Sequence, residues 1–68
     1  MKFAIMLMDT HTFVSNMLFT HPTATRSLWV SETGNEDAAI YMTEKMATQM
    51  ADIIARQLNR PTMLHLNV

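Results

Sequence analysis

Thr43-Glu-Lys-Met-Ala-Thr-Gln-Met-Ala-Asp-Ile-Ile-Ala-Arg-Gln-Leu-Asn-Arg-Pro61 is the stretch that decides the fold. Met46, Ala47, Met50, Ala51, Ile53, Ile54 and Leu58 recur at the spacing of one helical face, and Glu44, Lys45, Thr48, Gln49, Asp52 and Arg56 fill the other. Thr43 is a good N-cap, and Glu44 suits the positive end of the helix dipole. The reciprocal capping box is missing, because Met46 stands where Glu or Gln would close it. Asn59 can take a left-handed cap, and Pro61 forbids continuation. The pattern predicts one amphipathic helix over about Thr43 to Asn59, with a single apolar face that needs a sheet beneath it.

The rest of the chain supplies that sheet. Lys2 to Met8 is a short apolar run closed by Asp9-Thr10, and reads as a strand. Thr12 to Thr20 is rich in Thr, Phe and Val and reads as its hairpin partner, with Ser15-Asn16 marking a bulge or an early end. His21 to Arg26 is loop chemistry around Pro22. Ser27 to Glu32 alternates cleanly, and Gly34, the chain's one glycine, centres the strongest turn. Ala38 to Met42 is expected to return as a short strand, and Thr62 to Val68 to close the sheet. The expected architecture is a single α+β domain over residues 1–68. It is a small antiparallel sheet of four or five strands with one helix packed on one face.

Strand parity divides the side chains between the two faces. Phe3, Ile5, Leu7, Val14, Leu18, Leu28, Val30, Leu64, Leu66 and Val68 form the set suited to lie under the helix. The opposite set collects Met6, Met8, Phe13, Met17, Phe19, Trp29, Met63 and His65. One helix cannot cover both faces, so the second face is expected to be apolar, aromatic and open, the mark of a partner surface. The chain holds eight methionines, seven of them after Met1. Methionine serves both as core filler and as an adaptable binding surface. Trp29 stands out among the open-face candidates, because large rigid aromatics anchor interfaces.

Composition narrows the function classes. A chain of 68 residues without cysteine has a marginal core and no thiolate metal site. Five Lys plus Arg against six Asp plus Glu leave no basic surplus for phosphate neutralisation, and Arg26, Arg56 and Arg60 are scattered. A small nucleic-acid-binding regulator is therefore the second reading, weighed against the charge. No apolar run approaches the roughly 20 residues of a membrane span. Lys2 followed by the run to Met8 is too short for a signal sequence, so a cytoplasmic location is expected. No P-loop, nucleophile elbow, dinucleotide or zinc-protease motif occurs, so neither catalytic residue, cofactor nor metal is assigned. Asp9 and His11, with His21 and His65, offer the nearest approach to a metal site, and a minimal His/Asp metal-binding protein is a third reading. Glu32, Glu36 and Asp37 lack the spacing of a calcium loop.

Between Trp29 and Ala51 the order of features resembles small phage- and prophage-encoded orphan proteins. The short strand Leu-Trp-Val-Ser, a Gly turn, Ala-Ala-Ile-Tyr-Met-Thr and a Thr-Glu-x-x-Ala helix start look like their β–turn–β–helix unit, followed by a closing strand. The resemblance covers residues 27 to 68. It implies no activity and supplies no catalytic residues. What it implies is a host-directed accessory protein, such as an inhibitor of a defence system, acting by surface binding. With the open face, the expectation is a non-enzymatic interaction module whose partner is a second copy or a host protein.

Overall fold

The computed structural model describes residues 1–19 and 28–67, the side chain of Phe19 excepted. Its elements are β1 (Lys2–Leu7), β2 (Thr12–Phe19), β3 (Leu28–Thr33), a 3-10 turn at Glu36–Ala38, α1 (Glu44–Leu58) and β4 (Thr62–Asn67). The strands form one antiparallel sheet in the order β3-β2-β1-β4, and α1 packs on one face, chiefly over β4 and β1. The expected α+β fold is the one observed. Expectations placed on Thr20 to Ser27 and on Val68 lie outside the described residues.

The helix is built as its sequence dictates. The Thr43 hydroxyl accepts a hydrogen bond from the Met46 N–H at 3.3 Å, and Asn59 closes the helix in the left-handed region at φ 54°. Asp52 and Arg56 pair on its exposed side at 3.2 Å, a contact of small energetic weight. Ala47, Ala51 and Ile54 are its buried residues. Ala51 and Ile54 join Ile5, Leu7, Val14 and Leu28 in the main core, with Leu58 and Leu64 packed around it. Thr43→Ala should cost about 1 kcal/mol by removing the cap. Thermal unfolding followed at the helix signal should show a Tm several degrees lower with the native spectrum kept.

Ala38 to Met42 departs from the expected strand. After the Gly34 turn the chain makes a 3-10 turn, capped by Asn35, whose Oδ1 accepts from the Asp37 N–H at 2.9 Å. It then runs into a wedge between β1 and β2. Those two strands pair only at Met6↔Phe13 and Leu7↔Thr12. Beyond that point the Ile40 N–H donates to the Val14 carbonyl (3.0 Å), and Met42 exchanges two hydrogen bonds with Phe3 (2.7 and 2.9 Å). The segment thus satisfies backbone groups that the parting strands would otherwise leave unmet. The expected short strand over Ala38 to Met42 does not form; an isolated bridge at Phe3↔Met42 takes its place.

The second departure is a bulge. Val14 pairs with Glu32, whereas Asn16 pairs with Ser31, so Ser15 is an extra residue on β2. Everything beyond it changes face. Met17 pairs with Val30 and packs against the helix-side core, and Leu18 pairs with Trp29 on the opposite face.

Candidate interaction surface

The face away from the helix begins with Ala4 and Met6 of β1, flanked by Phe13 of β2 and by Met63 and His65 of β4. The Phe13 and His65 rings meet edge to face at a centroid distance of 5.0 Å. Their strands lie on either side of β1, and the small Ala4 leaves room for the contact. Ala4 is 0% and Phe13 8% exposed. The stretch after Gly34 folds over this region. His65 Nε2 lies 3.0 Å from the Glu36 carboxylate, and the Tyr41 hydroxyl donates to the Glu36 carbonyl at 3.1 Å. Desolvation, then the charges of Glu36 and Asp37, raises the Tyr41 phenol above its ordinary pKa. Ala4 and Phe13 are therefore buried on the face expected to be open.

What stays exposed lies in two places. At the end of the sheet near the β1–β2 turn, Met63 is 47% and Met8 37% exposed, with Met6 half-buried opposite Met63. At the far end, the cross-strand neighbours Leu18 and Trp29 are 60% and 53% exposed. Asn16 and Ser31 pair directly before them, so a polar step separates Leu18 and Trp29 from Phe13. Of the eight expected surface residues, Trp29, Met8 and Met63 are exposed and Met6 partly so. Phe13 is buried, His65 is held by Glu36, and Met17 is turned under the helix by the bulge. Phe19 pairs with Leu28 in the register; its side chain lies outside the described residues. Leu18 belongs to the surface although parity counted from Val14 assigns it to the core. Comparison of the chain with protein-family models, with curated proteins and with solved structures found no match.

The charged groups gather elsewhere, at the junction of the β1–β2 turn, the end of β3 and the link from α1 to β4. Arg60 Nε and Nη2 reach the two Asp9 carboxylate oxygens at 2.9 and 3.0 Å. Its Nη1 and Nη2 reach Glu32 at 2.9 and 3.1 Å. The Thr12 and Thr10 hydroxyls donate to Glu32 at 2.7 and 3.0 Å. These bonds hold the Glu32 carboxyl down at about 2, the Arg60 guanidinium contributing most and Thr12 next. Asp9 is also lowered, chiefly by its hydrogen bond to Arg60. The arrangement fastens three segments together and uses the carboxylates fully. Asp9 is thus committed to Arg60 and His65 to Glu36, so the Asp9–His11 pair does not converge with His65; His21 lies outside the described residues. Among the described residues no three His, Asp or Glu side chains gather as metal ligands, and no helix is long and apolar enough to cross a membrane.

Proposed function

We propose that this chain is a non-enzymatic protein-interaction module of the cytoplasm, acting through the sheet face away from its helix, with Leu18 and Trp29 as the anchor. The observation that carries the reading is the Leu18–Trp29 pair, two large apolar side chains side by side and both more than half exposed on adjacent strands. Aromatic anchors of this kind concentrate binding energy at interfaces. Met8 and Met63 add adaptable apolar surface at the other end. The resemblance of residues 27 to 68 to phage-encoded orphan proteins makes a host-cell protein the partner class.

Trp29→Ala separates this role from a structural one. The variant should keep its circular dichroism spectrum and lose less than about 1 kcal/mol of stability, as for a surface position. Proteins captured by the wild type from a cell lysate and identified by mass spectrometry should be lost with Trp29→Ala. Affinity for a captured partner should drop by about 2 kcal/mol, close to thirtyfold. Equal capture by both proteins would overturn the assignment, and a melted Trp29→Ala domain would return this residue to the core.

A further inference from the structure

We infer that two copies of this chain join along β4, in the antiparallel register that pairs all three of its outward-facing residues with one another. This goes beyond the surface proposed above and uses a different part of the molecule.

β4 is an edge of the sheet, and among the described residues it is bonded to β1 alone. Which of its backbone groups face outward follows from two contacts. Met8 donates its N–H to the Pro61 carbonyl at 2.9 Å, which continues the β1–β4 register by one pair beyond Leu7↔Thr12. Antiparallel pairs alternate between bonded and non-bonded, so Met6↔Met63, Ala4↔His65 and Lys2↔Asn67 are the bonded pairs. The intervening residue Phe3 directs its N–H and carbonyl to Met42, on the side away from β4. Its partner Leu66 therefore also directs its backbone away from β1, and Thr62 and Leu64 share that phase. Three residues of β4 present their N–H and carbonyl groups to the free edge.

Such an edge is a template for another strand, and proteins that stay single blunt it with Lys, Pro, a bulge or a cover. Thr62-Met-Leu-His-Leu-Asn67 carries no Lys or Pro and shows no register shift against β1. Its one titratable side chain, His65, is engaged by Glu36 of the same chain. Two identical copies of this edge thus meet without like-charge repulsion.

The geometry also restricts the register. A two-fold axis perpendicular to the sheet keeps each side chain on its own face, so paired residues must share parity. Centring the axis on Leu64 pairs Leu64 with itself and Thr62 with Leu66 of the second copy, and Leu66 with its Thr62. All three outward residues are then in bonded pairs, with two hydrogen bonds in each. Centring it on His65 would pair only Leu64 with Leu66 among the outward-facing described residues of β4. The Leu64 register places the two Leu64 side chains together under the helices, Leu66 against Thr62, and Met63 against His65 on the other face. Because α1 lies over β4 and β1, the two helices come to roughly 10 Å apart, a normal helix packing distance.

The test combines sedimentation equilibrium with amide hydrogen exchange read residue by residue. The wild type should form a dimer at high micromolar concentration. The Thr62, Leu64 and Leu66 amides should gain protection as concentration rises, while Met63, His65 and Asn67 stay protected throughout. Leu66→Lys, at an exposed position, should fold normally and weaken the dimer at least about tenfold by setting a charge in each half of the junction. Trp29→Ala should dimerise as the wild type does. A strict monomer, a dimer whose outward amides exchange freely, or a dimer dissolved by Trp29→Ala and indifferent to Leu66→Lys would each overturn the inference.

Discussion

Ile54→Asp should abolish cooperative folding. Ile54 is 0% exposed, in contact with a core made of Ile5, Leu7, Val14, Leu28 and Ala51. Removing its side chain alone would cost about 2–5 kcal/mol. The replacement carboxylate adds a further penalty: among the described residues no buried polar or charged group lies in that core to receive it. A domain of this length has on the order of 5 kcal/mol to lose. Circular dichroism should show lost helicity and no thermal transition, whereas Ile54→Val should stay folded about 1 kcal/mol down. A native spectrum for Ile54→Asp would show that this helical face is not the buried one.

Arg60→Met should produce the next largest effect, and one that depends on pH. Methionine keeps much of the apolar stem but removes every donor to Asp9 and Glu32, leaving two carboxylates beside each other at neutral pH. Charge-assisted hydrogen bonds are stronger than neutral ones, and solvent screening discounts those to Glu32 to a loss of about 1 kcal/mol. In the wild type the Glu32 carboxyl is held at about 2, below its ordinary 4.5. Between those values the unfolded chain binds the proton and the folded chain does not. Stability therefore is fully present above 4.5 and is lost as the pH falls toward 2. The variant loses the largest cause of that depression, so its deficit should be largest at neutral pH and should shrink through the same acid window. Urea unfolding of both proteins at several pH values would show it. A deficit that is absent, or that does not change with pH, would contradict the role given to Arg60.

The sequence carried most of the fold in local form. Thr43, Asn59 and Pro61 mark the helix ends because capping is decided within a few residues, and the alternation in β1, β3 and β4 assigns Ile5, Leu7, Leu28 and Leu64 to the helix side as found. Ser15 shows where local reading stops. A bulge was legible as an interruption, but whether the chain ends, bends or inserts a residue there depends on the partner strand. That one residue exchanges Met17 with Leu18. Ala38 to Met42 was misread for a related reason. Its strand-like residues satisfy a gap between β1 and β2 that exists only once those strands part. The Arg60 network was illegible altogether, because Asp9, Glu32 and Arg60 meet only through the fold. Of the face expected to be open, Trp29, Met8 and Met63 are exposed as parity assigns them; Phe13 is buried with its ring against His65, and His65 is held by Glu36, contacts that no strand pattern contains.

Leu18, brought to the face away from the helix by the bulge at Ser15, and Trp29, placed there by the alternation of β3, lie side by side on the outside of the folded domain. Trp29 is the chain's one tryptophan, so its fluorescence reports on that position alone. Acrylamide quenching of the folded protein at low concentration is the direct measurement. The expected result is solvent-like emission quenched nearly as readily as in the Ile54→Asp chain; blue-shifted emission resistant to quenching would place Trp29 in the core and contradict the account.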